Sequence, residues 1–562
     1  MPSATTLLRS FALLLAPSLV CPLRAQDTFT RVSVDSSGAQ AIYDSGPSSI
    51  SGDGRFVAFA SRAPNLVPGD TNGTIDAFVH DRVTGVTTRE SLKTNGAQFL
   101  AIVYATVISF DGSIVAFADS AGGVYVRDRV AATTVCASTN ASGRKKEAVD
   151  MAISSDGDWI AYASKFAIVP YDSNGFFDVY VYERATGIKT LVSSSAAGTL
   201  ADDDSASGFL SISLSSDGRF VAFDSKATNL VPGDTNGAQD VFVRDRVLGT
   251  IERVNLDPSG NQLTTSSLIP AISGDGRYVA FCSFDSQIVP GDTNGKADIF
   301  VRDRWLGRNE RVSVDSHGGE GNGHSLQARI TPDGRFVAFQ TMSANLLAPG
   351  LTNGCCLRDR LLGTTTALVA SDGSAVFVEG LSADARDICF TSSSSILVPN
   401  DTNSLADVFV LERAPQAPLA FCTVGTSANG CVASMSATGT PSASATSSFV
   451  LSATSTDGQR SALIFYGLDN LNFTPAPWGS SSSFLCVKAP TQRTPLQNSG
   501  GTSGACDGAI ALDWRAFVAL NPAALGNPLA PGQQVFAQTW LRDPASAKTT
   551  ALSNALSFVV LP

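Results

Sequence analysis

The sequence predicts an all-β protein: a seven-bladed β-propeller closed by its own N-terminal strand, followed by a β-sandwich domain. Three observations carry this expectation. A motif of the form S-x-D-G-R-F-V-A-F returns seven times at spacings of 45 to 61 residues, a period that belongs to propellers and solenoids. Each return opens a set of four strand-length runs divided by turn residues. The N-terminal RVSVDSSG, Arg31 to Gly38, matches RVSVDSHG, Arg311 to Gly318, at seven of eight positions.

Residues 1–25 read as a signal peptide. Arg9 precedes an apolar run, and LRA ends at Ala25 as a cleavage point. Cys21 offers a lipoprotein reading, but Val20 before it suits that poorly. The apolar run is too short to span a membrane, and no later stretch is long enough. The expected location is therefore secreted, periplasmic or in the cell envelope, with no integral membrane segment. A net charge of −11 over 562 residues argues against a grip on nucleic acid or an anionic surface.

Residues 26–414 hold the repeats. The motif aspartates are Asp53, Asp111, Asp156, Asp217, Asp275, Asp333 and Asp384. In the fourth unit LSISLS precedes the Asp217-Gly218 turn, and RFVAFDS follows it. A long loop then leads to DVFVRDR, and Gly249 turns the chain into TIERVNLD. Asp-Gly predicts a two-residue hairpin with both central positions at φ > 0. The middle strands are apolar throughout, so both of their faces should be covered, as in stacked blades. The seventh unit stops at ADVFVLERAP with three strands, and residues near 29–35 should supply its fourth. Such a clasp leaves no open sheet edge.

The composite SxDGRFVAFxS…DVFVRDRxxG…RVS resembles the WD-like repeat of TolB-type β-propellers, over about residues 29–414. The resemblance implies the fold. It leaves function open, because such propellers serve as envelope scaffolds and binding modules and, in relatives, as lyases or peptidase gating domains. The tight turns fall on one face of the ring and the long loops on the other. The loop-rich rim is the expected binding face, for a protein or polysaccharide ligand, and its aspartates should make it negative.

Those loops carry a recurring triad. It comprises Asp70, Asn72 and Asp76; Asp172, Asn174 and Asp178; Asp234, Asn236 and Asp240; Asp292, Asn294 and Asp298; and Asp401, Asn403 and Asp407. The second unit skips the loop, and the sixth sets Leu351 and Leu357 where aspartates are expected. Two readings stand. Closely spaced oxygens around a glycine suit calcium, although calcium wants about six to eight of them. The same residues also make hydrogen-bonded Asx turns. The recurrent VRDR, as at Arg244, Asp245 and Arg246, suits blade-to-blade ion pairing. His317 and His324 offer a weaker metal pair. No catalytic motif stands out, so a non-enzymatic, monomeric binding or scaffold protein is expected. A polysaccharide lyase or glycosidase with its site in the channel is the alternative.

Residues 415–562 lack the repeat and read as a β-sandwich. Cys422, Cys431, Cys486 and Cys506 fall there, and four cysteines allow three pairings. Cys136, Cys282, Cys355, Cys356 and Cys389 sit in strand-like runs and read as free thiols. Trp478, Trp514 and Trp540 are expected in the core rather than on a sugar-stacking surface.

Overall fold

The computed structural model describes residues 27–560, apart from residues 209, 369–375, 415–418, 423–424, 444–447, 469, 471–474, 479–482, 530–532 and 545–548. The predicted signal segment lies outside the described residues. Seven four-stranded antiparallel sheets form the ring. Blades 1 to 6 each use four consecutive strands, from Ser45–Ile50 in blade 1 to Thr364–Leu368 in blade 6. Blade 7 takes Val378–Leu381, Asp387–Ser392 and Asp407–Glu412 from its own repeat and Thr28–Arg31 from the N-terminus. The pairing runs Thr28 with Glu412 through Arg31 with Phe409. The clasp expected from the RVSVDSSG match is therefore present.

The second and third strands are buried along most of their length, as their largely apolar pattern requires. Phe59 and Phe78 stack at 5.8 Å in blade 1, and Tyr162 and Tyr180 at 5.9 Å in blade 3. Offset stacking of this kind adds to the area term.

The Asp-Gly turns differ from the expected hairpin. Glycine alone takes positive φ, +75° at Gly54 and +67° at Gly218. The aspartate is held in ordinary backbone space by its own side chain. Asp53 Oδ1 accepts from Ser51 Oγ and from the Arg55 amide, and Ser51 Oγ accepts from the Phe56 amide. The result is a four-residue turn closed by Ser51 N–H to Phe56 O at 2.8 Å. The motif serine and aspartate are thus a turn-capping pair.

These turns also stitch the ring. Gly52 donates to Phe110 O, Phe110 to Ser155 O, Ser155 to Ser216 O, Ser216 to Gly274 O, and Gly274 to Pro332 O, while Ala383 donates to Gly52 O. Pro332 has no N–H to pass on to blade 7.

The C-terminal domain packs a sheet of Leu419–Phe421, Thr550–Val559, Gln534–Arg542, Ser461–Gly467 and Gln492–Arg493 against one of Ser434–Gly439, Phe449–Thr456 and Gly508–Asp513. Trp514 is fully buried among Phe449, Tyr466 and Phe558. The run IALDWRAFVAL forms a strand, Gly508–Asp513, and then a helix, Trp514–Leu520. Asp513 accepts the Ala516 amide as N-cap and makes the break. The disulfides pair Cys422 with Cys486 and Cys431 with Cys506. The other five described cysteines are free thiols, four of them buried. Leu361, on a tight turn of blade 6, packs against Phe465, Val487, Phe536 and Leu552 of this domain, and Arg335 donates to Gln534.

The clasp yields a direct prediction. Deleting residues 27–34 strips blade 7 of an edge strand and removes Arg31 and Ser33 from Asp407. The cost expected is at least about 4 kcal/mol. Urea unfolding of the truncated chain measures it, and an unchanged midpoint would contradict the closure.

Candidate functional site

The triad loops show where their polar groups go. The last aspartate of each, Asp76, Asp178, Asp240, Asp298 and Asp407, has no solvent exposure (0%). It stands at the first position of the third strand. A residue from the end of the same blade donates to its Oδ1: Ser91, Ser193, Asn255, Ser313 and Ser33, respectively. The middle asparagine caps its own turn by accepting the amide two residues on, as Asn236 does from Ala238 at 3.0 Å. Its Nδ2 reaches the outgoing connection, where Phe99 O, Ala201 O, Leu263 O, Gly321 O and Ala41 O accept.

Between the two carboxylates of four loops lies an arginine from the fourth strand. Arg89 Nη1 is 3.1 Å from Asp70 and 3.9 Å from Asp76. Arg253 is 3.2 Å from Asp234 and 3.0 Å from Asp240. Arg311 is 3.2 Å from Asp292 and 3.8 Å from Asp298, and Arg31 is 3.3 Å from Asp401 and 3.4 Å from Asp407. A guanidinium therefore supplies positive charge between the two carboxylates of these loops. The rim is also less acidic than its composition suggests, because these carboxylates are buried and paired. Burial still pushes Asp76, Asp298 and Asp407 above the usual carboxylate range. Desolvation outweighs the neighbouring arginine at each of them.

Strand register corrects the sixth unit. Thr341 faces Gly354, as Ser225 faces Asp240, so Gly354 and not Leu357 stands in the aspartate's place. Ala367 opposite Cys356 stands where blade 4 has Arg253 opposite Phe242. The aspartate and the arginine are lost together there. A sequence signal existed for this: the arginine lies 13 residues after the last aspartate in blades 1, 4 and 5.

VRDR is structural. Asp245 is held by Arg219 of the same blade at 2.7 Å, and two turn amides donate to it. The following arginine crosses to the preceding blade. Arg304 reaches Glu252 at 2.6 Å and covers Phe220 at 4.6 Å, and Arg246 lies 3.8 Å over Trp159. His317 and His324 have separate roles: His317 sits in a turn capped by Asp315, and His324 Nδ1 accepts the Ala297 amide. Among the described residues no cluster of three or more His, Cys, Asp or Glu side chains is placed to hold a metal ion.

The channel has two unlike ends. At the tight-turn end lies a cavity of about 220 Å³ ringed by one aliphatic residue per blade: Ile50, Ile108, Ile153, Leu214, Ile272, Ile330 and Leu381. Phe110 and small residues from the stitched turns complete it, and no His, Asp, Glu, Arg or Tyr lines it. At the loop end, the first strands begin and the second strands finish, as the pairing of Ser45 with Ser61 shows. Several large apolar side chains flank these strand ends, as others do on the tight turns of the opposite face, at Val83, Val247 and Trp305. Tyr43 is 49% exposed, Leu100 82% and Phe284 50%, and Ile102, Phe166, Met342 and Phe377 are also exposed. Cations stand over two of the rings, Arg62 5.8 Å from Tyr43 and Lys146 5.4 Å from Phe166, and the His324 ring lies 5.7 Å from Phe284. Sequence reasoning chose this rim but missed these residues, because they come from different blades and share no motif.

No protein-family profile and no curated protein sequence matches the chain. Solved structures do resemble it. An oligogalacturonate lyase in complex with manganese is 13% identical at a TM-score of 0.42, over 69% of this chain and 97% of that one. An oligogalacturonate lyase from Vibrio parahaemolyticus is 12% identical at 0.41, with the same coverage. TolB from Acinetobacter baumannii is 13% identical at 0.31, over 60% of this chain and 76% of that one.

The outer ion pairs carry a prediction. Arg304→Lys keeps the charge but loses the fork that spans Glu252 and Gly276 O and the plane that covers Phe220. It should cost about 1–3 kcal/mol in urea unfolding. Full retention of stability would show that charge alone suffices.

Proposed function

We propose that this chain is an exported, non-enzymatic binding protein. Its loop-end channel mouth takes a protein partner that presents aliphatic or aromatic side chains. The observation that carries this is the mouth itself, with Tyr43, Phe166 and Phe284 exposed, the first two beneath cations and the third beside the His324 ring. Aromatic anchors of this kind dominate protein interfaces. They cost little to expose singly, but a ring of them signals a site. The tight-turn mouth is lined by aliphatic residues, Phe110 and small groups, without carboxylates. Two disulfide pairs suit an oxidising compartment outside the cytoplasm. No described helix is long and apolar enough to cross a membrane.

The test is site-specific photo-crosslinking in the producing cell. A benzoylphenylalanine at Phe284 should trap a discrete protein partner, and one at Val130, on a tight turn, should not. The triple variant Tyr43→Ser, Phe166→Ser, Phe284→Ser should abolish capture by a probe placed at Met342. Its melting temperature should stay within a few degrees of the parent, since exposed positions change stability by about 0.5 kcal/mol each. Equal trapping from both faces, or steady turnover of an oligosaccharide by the purified chain, would contradict the proposal.

A further inference from the structure

Blade 3 breaks the pattern of the other triad loops. Register places Leu191 opposite Tyr180, where Arg253 stands opposite Phe242. The connection that follows bears Leu200 in the bridge position held elsewhere by Gln40, Gln98, Gln262 or Glu320. Both polar groups that fill the loop in the sibling blades are thus replaced by leucine. The carboxylates remain. Asp178 is wholly buried, and its Oδ2 has no hydrogen-bond partner. In the siblings the asparagine amide donates to this carboxylate, as Asn72 does to Asp76 at 2.8 Å. Asn174 donates to Ala201 O, as its siblings do to the same connection, and it still lies beside the Asp178 carboxylate.

Asp172 is also buried, and it accepts the hydroxyl of Tyr180. That hydroxyl is another departure, since the matching residues are Phe78, Phe242, Phe300 and Phe409. A neutral donor satisfies one oxygen but brings no charge. Asp204 adds a further negative neighbour, with its Oδ1 bound to the Phe177 amide.

We propose that the blade 3 loop is a calcium site, in which the ion takes the place that a guanidinium fills in blades 1, 4, 5 and 7. The reason is charge balance. Two buried carboxylates with no cation within reach carry a large desolvation cost. A hard divalent cation offsets it and binds oxygen ligands. Asp178 Oδ2 and the Asp172 carboxylate supply the protein charge. Leucine is shorter than arginine, so the volume beside the carboxylates that a guanidinium would occupy is not filled by the side chain at 191. With two carboxylates and water completing the shell, affinity should fall in the range of about 10⁻⁴–10⁻³ M typical of weak extracellular sites.

The test compares the full chain in EDTA and in 10 mM calcium chloride at neutral pH. Calcium should raise the melting temperature by about 1–4 °C, and titration calorimetry should report one ion per chain. Leu191→Arg restores the sibling guanidinium and should erase the response. Should that variant fail to fold, Asp178→Asn, of nearly the same size, should erase it as well and should melt higher than the parent in EDTA. No calcium response in the parent overturns the proposal. So does a response that survives Asp178→Asn, or a stoichiometry near five, which would assign calcium to all the triad loops.

Discussion

Five of the seven blades hang on a carboxylate with no solvent exposure. The aspartate at the start of the third strand is buried in five blades, at Asp76, Asp178, Asp240, Asp298 and Asp407. It gathers a donor from beyond the fourth strand and, in four blades, an arginine from within it. The asparagine four residues earlier ties down the connection to the next blade. One buried anion thus fixes the entry of one strand, the position of a second, and the exit of the chain toward its neighbour. At the seventh blade the same device uses Arg31 and Ser33, so ring closure rests on it too.

Burying these charges is costly, and the raised pKa values at Asp76, Asp298 and Asp407 show that burial outweighs the partner. Buried pairs of this kind specify geometry more than they add stability. Blade 6 makes the same point. With Gly354 and Ala367 in place of the pair, it still forms four strands. What the pair secures is loop placement, and therefore the shape of the rim around the channel.

The fold was legible because its signals repeat. Seven copies of one turn motif set the blade count, and the RVSVDSSG match located the clasp. The Asp-Gly hairpin type was not legible, because the Ser51 and Asp53 side chains decide it rather than dipeptide preference. The loops were half legible. Asp234, Asn236 and Asp240 stood out as a local cluster, but Arg253 lies in the next strand and was invisible to a search within the loop. The mouth residues Tyr43, Phe166 and Phe284 carry no shared pattern. They become a group only when the ring brings three blades to one end of the channel. The proposed binding residues therefore vary between blades, on a scaffold held by residues that repeat.

Asp240 and Arg253 act as one unit. A double-mutant cycle with Asp240→Asn and Arg253→Leu, read by urea unfolding at neutral pH, measures this directly. Each single change should cost about 3–5 kcal/mol, because it strands a buried partner. The double variant should cost little more than the milder single one, giving a coupling of at least about 2 kcal/mol. Additive losses, with a coupling below about 0.5 kcal/mol, would contradict it.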